Sequence, residues 1–272
     1  MVRARRAGGP VELNRAGSPA QLAELGAALA RAGCVAAEDE AAELWAAAGG
    51  DLATLGDFLA RRVTGEPLAW IVGSTTFCGE TIVVHPGVYV PRWQSEPLAL
   101  EARRRLTPGG VAVDLCTGAG PIPVALGCRQ GFARVVGTDL DPAAVSCATA
   151  NGVEAIECDL ATALLPSLGG RVDLVTAVVP YVPSEELAHL PRDVLAHEPR
   201  RALDGGPGGT VLLGRAVAEA ATLLRPGGSL LVELGGEQAD ALAPLLVGHG
   251  FGEIVVARDE DGDVRSLWCR RS

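Results

Sequence analysis

The chain contains no lysine: its 23 basic residues are all arginine, and 33 acidic side chains leave a formal net charge of −10. Binding nucleic acid without regard to sequence needs clustered positive charge, so this balance argues against a nucleic-acid partner. The absence of lysine, set beside abundant alanine and glycine, reads as a compositional habit rather than a site. Long apolar runs are also missing. None approaches the ~18 residues of a membrane span, and "MVRARRAGGP" has no apolar stretch behind its charges. No membrane partner and a cytoplasmic location are the expectations. The seven cysteines form no CxxC pair and the four histidines show no ligand spacing, so buried thiols and no metal are expected. His197, in "AHEPRRAL", reads as a surface loop histidine.

With 48% hydrophobic and 21% charged residues, the 272-residue chain suits a soluble protein of one large and one smaller domain. "SPAQLAELGAALARAG" offers a serine cap, a proline in the first turn, leucines on one face and a glycine stop. "DEAAELWAAAGG" and "DLATLGDFLARRV" repeat that helix-then-glycine pattern. From residue 63 to 93, β-branched runs broken by "CGE" and "HPG" indicate a hairpin, and "EPLALEARRRLTPGG" a linking helix. Thereafter strands such as "VAVDL", "RVVGTDL" and "VDLVTAVV" alternate with helical stretches, among them "PIPVALGCRQG". That alternation means an α/β fold with a mainly parallel, doubly wound sheet. The expected divisions are a helical N-terminal domain over 1–74, a hairpin and linker helix over 75–105, and the α/β domain over 106–272. No disordered tract longer than the first ten or so residues is expected.

Three stretches carry chemistry. In "VDLCTGAGP" a strand ends at Asp114 and passes through Cys116, Thr117, Gly118 and Gly120 before a helix; the glycines let backbone approach a ligand where a Cβ would collide. The spacing is not GxGxxG, which weakens a dinucleotide reading. It fits a cofactor with an amine and a carboxylate but no phosphate, which describes S-adenosyl-L-methionine. Asp139, in "VVGTDLDP", follows about twenty residues later, where a carboxylate can accept from both ribose hydroxyls and Leu140 adjoins it. Asp141, just before Pro142, suits a helix N-cap. In "ECDLATAL", Cys158, Asp159 and Leu160 follow the third strand and would flank the adenine: Asp159 accepts from its amine and Leu160 packs on its ring.

With "VTGEPLAWIVG", "YVPRWQSE", "DLCTGAG", "VVPYVP" and "HEPRRALDGG" in this order, the chain resembles the protein-(glutamine-N5) methyltransferases. Those enzymes modify the Gly-Gly-Gln glutamine of peptide-chain release factors. The resemblance runs from about residue 20 to the C-terminus and is nearest to an actinobacterial branch whose substrate is unassigned. It implies a Rossmann-like class I S-adenosylmethionine-dependent methyltransferase domain, its seven-stranded sheet ending in an antiparallel strand inserted as "VRSLWCR". It also implies that Val178, Val179, Pro180 and Tyr181 form the catalytic loop, with Tyr181 stacking on the acceptor. Arg92, Trp93, Glu96 and Glu198 would lie near the acceptor mouth; for Glu198 a salt bridge to Arg200 or Arg201 is the alternative, and for Trp93 packing at the domain junction.

Two positions depart from the family pattern: Val178 stands where it has asparagine, and Gly208 where it has an acidic residue. In the family the asparagine oxygen and the next backbone carbonyl accept the two amide protons of glutamine and aim its nitrogen. Valine cannot accept a hydrogen bond, and an unpaired buried N–H costs about 1–3 kcal/mol, or about ten- to a hundredfold in rate. The acceptor is therefore expected not to be a standard glutamine amide; whether it is a protein or a small molecule stays open. Two alternatives remain: alkyl transfer or self-cyclisation of the cofactor's aminobutyrate arm with release of methylthioadenosine, and cofactor binding without catalysis.

Overall fold

A computed structural model describes residues 18–190 and 192–272; the expectation of disorder in the first ten residues lies outside them. The chain divides after Val72 into two compact units.

The first unit is helical: α1 (Pro19–Arg31), α2 (Ala37–Ala48), α3 (Leu52–Val63) and the short α4 (Leu68–Val72). Ser18 caps α1 in a reciprocal box, its hydroxyl accepting from Gln21 N while the Gln21 side chain accepts from Ser18 N. Asp51 caps α3 by accepting from the amides of Ala53 and Thr54. Leu25, Leu29, Ala41, Leu44 and Ile71 bury a common apolar core. The sequence pattern did not separate α4, whose five residues fall within "PLAWIV".

The second unit opens with a hairpin, β1 (Ser74–Phe77) against β2 (Glu80–Val83). Its two-residue turn places Cys78 and Gly79 at φ of 50° and 77°, the doubly positive geometry whose twist matches a tight hairpin. The stretch after "HPG" adds no further strand: Pro86 and Pro91 each lack an N–H, and residues 87–92 join neither sheet, with Val88 and Val90 buried. Buried Asn151 seats the hairpin by accepting from Val83 N and donating to Val83 O.

Then follow α5 (Glu96–Arg105), β3 (Val111–Leu115), α6 (Pro121–Ala125), β4 (Arg134–Asp139), α7 (Pro142–Ala150), β5 (Glu154–Glu157), α8 (Leu165–Leu168), β6 (Val172–Ala177), α9 (Arg192–His197), α10 (Val211–Leu223), β7 (Leu224–Glu233), α11 (Gln238–Gly248), β8 (Phe251–Arg258) and β9 (Val264–Arg271). Helix α6 is shorter than its sequence suggested, since the chain turns at Gly127, where φ is +87°.

The seven strands form one sheet in the order β5-β4-β3-β6-β7-β9-β8. β3 to β7 are parallel, and β9, the expected "VRSLWCR" strand, runs antiparallel between β7 and β8. This is the Rossmann-like class I methyltransferase architecture. Its central strands are buried on both faces, β3 contributing Val113 and Leu115, β6 Val175 and Ala177, and β7 Leu230 and Val232 to the main core. Strand order reverses at β3, opening a crevice at the carboxyl ends of β3, β4 and β6 where such sheets bind ligands.

Candidate functional site

The crevice floor is the turn after β3. Asp114 is only 2% exposed, and its two oxygens accept from Thr117 Oγ1 at 2.7 Å and Thr176 Oγ1 at 2.6 Å. It thereby ties the turn to β6 while lining a small cavity with Thr117 and Gly118. Burial pushes its carboxyl up to about 7 against the opposing effect of both hydroxyls. Cys116 and Gly118 both have φ near +57°, at 57° and 56°. A Cβ at Gly118 would meet nothing within 4 Å, so this backbone lies bare toward the cleft. At Gly120 a Cβ would fall 2.7 Å from Val153 Cγ2, so that glycine serves close packing on α7 instead. Burial raises the Cys116 thiol, keeping it protonated.

Asp139 ends β4 beside that turn. Its Oδ2 accepts from Gly118 N at 2.9 Å and its Oδ1 from Asp141 N at 3.0 Å, which fixes the carboxylate and leaves each oxygen a second lone pair. Burial raises its pKa against these bonds. Asp141 caps α7 through Ala143 N, as its place before Pro142 suggested, and also pairs with Arg201. Leu140, 65% exposed, and Leu160, in left-handed conformation at φ +49°, line the same cleft with Asp159. Asp159 is paired with Arg215 at 2.7 Å. Cys158 is not in the lining; its Sγ donates to Leu160 O at 3.2 Å.

The cleft's chemistry fits adenosylmethionine: a bare glycine backbone, an oriented carboxylate with spare lone pairs, and apolar Leu140 and Leu160. Gly118 and Asp139 would hold the sugar and methionine portions, and Leu160 with Asp159 the base.

The opposite wall is the loop after β6. Val178 lines both the main cleft and the small cavity of Asp114, whereas Val179 is 1% exposed and belongs to the core as well as the wall. Pro180 and Tyr181 continue the wall. The loop is laced to residues 203–206: Val182 N donates to Leu203 O, Gly205 N to Val182 O and Ser184 N to Gly206 O. Gln238 Nε2 donates to Tyr181 O at 2.7 Å and to Gly208 O at 3.2 Å. This contact explains Gly209 of "DGGPGG", because a Cβ there would come 2.0 Å from Tyr181 O. Gly208, in contrast, is exposed, with nothing near its missing Cβ, so its departure from the family pattern falls outside the cleft.

Of the four expected acceptor-mouth residues, the structure brings two together. Buried Glu198 pairs with Arg92, not with Arg200 or Arg201, which pair with Asp204 and Asp141. Arg92 in turn lies over the Tyr89 ring, 5.1 Å from its centroid. Trp93 is 73% exposed and lines none of these cavities. Glu96 accepts from Cys78 N at 2.9 Å and so caps the hairpin turn. His197 closes α9 rather than standing in a loop.

Sequence reasoning missed three wall residues. Tyr89 lines the main cleft and both neighbouring cavities, and Arg201 lines the main cleft. Glu233, at the end of β7, is 7% exposed and accepts from Tyr181 Oη at 3.0 Å. The signals for Tyr89 were its place at the head of "YVPRWQSE" and scarcity, since the chain has only two tyrosines.

No family model matches the chain. Among curated proteins it is 37% identical over 215 residues to a release factor glutamine methyltransferase of Geobacter sulfurreducens, covering 78% of this chain and 76% of that protein. It is 35% identical over 211 residues to the 4-amino-L-phenylalanine/4-methylamino-L-phenylalanine methyltransferase of Streptomyces pristinaespiralis, covering 71% and 69%. Among solved structures, a Pyrococcus furiosus methyltransferase matches with TM-score 0.50 at 18% identity, covering 80% of this chain and 99% of that one; at that identity the likeness is one of fold.

Proposed function

The chain belongs to the release factor glutamine methyltransferase family and is an S-adenosylmethionine-dependent methyltransferase, and from that premise we propose that it methylates an amine rather than a glutamine amide. The observation that carries this reading is Val178, an apolar side chain on the cleft wall between the glycine turn and Tyr181. A carboxamide nitrogen needs its two protons held so that its lone pair turns toward the methyl group. An amine already has a localised lone pair and asks for position alone. The 4-amino-L-phenylalanine methyltransferase among the relatives is named for such an acceptor.

Adenosylmethionine supplies an electrophilic methyl group on a sulfonium. The chain's residues do the rest by placement. Asp139 and Gly118 fix the donor side of the cleft, and the Tyr181 ring, held by Glu233 through its hydroxyl and by Gln238 through its carbonyl, offers a flat apolar platform. Val178 and Val179 keep water from the wall between them. Methyl transfer to a neutral arylamine leaves a strongly acidic ammonium, whose extra proton passes to solvent after transfer.

The test is mass spectrometry of acceptor and nucleoside after incubation with adenosylmethionine and either 4-amino-L-phenylalanine or a Gly-Gly-Gln peptide. Adenosylhomocysteine formed with the amine and not with the peptide is the expected result. Efficient methylation of the peptide would overturn the reading, as would methylthioadenosine formed without any acceptor.

A further inference from the structure

Beyond Tyr181 lies a second cavity, of about 260 Å³, that shares Tyr89, Tyr181, Val182 and Leu203 with the main cleft. Its own wall includes Glu233, with Arg265 also lining it. Glu233 is buried, one oxygen accepts from Tyr181, and the other, Oε2, meets no hydrogen-bond partner. A buried carboxylate oxygen without a donor is costly, and such groups call for an explanation. The hydroxyls of Ser95 and Tyr181 lower the pKa of Glu233, yet neither satisfies Oε2. Burial raises that pKa more, so a cation placed beside the carboxylate would favour its charged form and offset part of the cost of burying it.

Resting on the amine-acceptor reading, we infer that this cavity is the acceptor's anchoring subsite and that Glu233 binds an ammonium group of a small acceptor molecule whose reacting nitrogen reaches past Tyr181 to Val178. The continuity of the two cavities around Tyr181 gives one molecule room to occupy both. Arg265, 46% exposed at the cavity wall and already paired with Asp259 at 2.6 Å, still turns guanidinium donors toward the side where a carboxylate on the same molecule would sit. An acceptor with both groups is an amino acid with a second, less basic amine. Glu233 is in this account a specificity-determining residue, and the hydrogen bond from Tyr181 makes it a positioning residue for the platform too.

The experiment is equilibrium dialysis of two probes against the full chain saturated with adenosylhomocysteine: 4-amino-L-phenylalanine, and the same molecule lacking its α-ammonium. Charge-assisted hydrogen bonding predicts about tenfold or greater preference for the probe with the ammonium. Glu233→Gln, which keeps shape and an acceptor for Tyr181, should erase that preference, while Val247→Ala, on the exposed face of α11 and in the lining of none of the cavities described above, should leave it intact. A merely structural role for Glu233 would change retention of both probes alike and leave their ratio unmoved. Equal retention of both, retention of neither, or an unchanged ratio in Glu233→Gln overturns the subsite. Such a failure, joined to adenosylhomocysteine formation with an amine lacking the ammonium, would sink the subsite alone; methyl transfer to the Gly-Gly-Gln peptide would sink the amine reading itself.

Discussion

Replacing Gly209 by alanine should damage the enzyme out of proportion to the size of a methyl group. The ideal Cβ would lie 2.0 Å from Tyr181 O and 2.3 Å from Gln238 Nε2, both far inside contact distance. To restore contact at about 3 Å the loop has to move by about 1 Å, a misplacement that can cost about a hundredfold in rate. The shift also breaks the bonds from Gln238 to Tyr181 O and Gly208 O. Two hydrogen bonds at about 1 kcal/mol each, with about 1 kcal/mol for alanine in left-handed backbone, give a loss of about 3 kcal/mol. At 2–4 °C per kcal/mol, melting should fall by roughly 6–12 °C. Gly208→Ala is the control: its φ of +61° carries the same backbone strain, but nothing lies within 4 Å of the new atom. It should lose about 1 kcal/mol and keep its turnover. Thermal unfolding and adenosylhomocysteine production, assayed well below both melting points, give the comparison. If the two variants lose stability and turnover equally, the bracing of Tyr181 by the glycine stretch is refuted.

Asp114 has a folded-state pKa raised from 3.8 to about 7 by burial, so its favourable contribution is complete below its unfolded value and disappears as pH rises through 7. That span is about 4 kcal/mol, and Asp114→Asn, which keeps two partners for Thr117 and Thr176, should be more stable than the parent at pH 8 with the gap closing toward pH 4, as read by denaturant unfolding. A gap independent of pH would contradict it. Asp139→Asn turns one amide-accepting oxygen into a donor facing Gly118 N or Asp141 N, and should weaken adenosylhomocysteine binding by about tenfold or more by calorimetry. Unchanged affinity would remove Asp139 from the cofactor site.

How much of this the sequence disclosed depends on whether a residue acts through its neighbours in the chain or across the fold. The turn after β3, the carboxylate ending β4 and the Asp141 cap are local devices: a glycine pair, a strand end, an Asp-Pro dipeptide. Each was readable from spacing. The inserted strand β9 was placed by the resemblance. Glu233 was not readable, because a glutamate ending a strand differs from any other until the sheet sets it against Tyr181. Tyr89 escaped notice for a related reason: "GVYVPR" looks like a strand, and only its two flanking prolines explain why it turns into the site instead. Glu96 and Glu198 both sit in quoted motifs, yet one holds the hairpin turn and the other Arg92. The motif marked them as important without telling which partner each would find.

The central claim is that Val178 has moved the acceptor from an amide to an amine, and a single ratio tests it most directly. The measurement is kcat/KM for 4-amino-L-phenylalanine over that for a Gly-Gly-Gln peptide, in the parent chain and in Val178→Asn. The account predicts a ratio well above one in the parent and a fall of about ten- to a hundredfold on restoring an amide acceptor at that position. A parent that prefers the peptide, or a ratio untouched by the substitution, would contradict it.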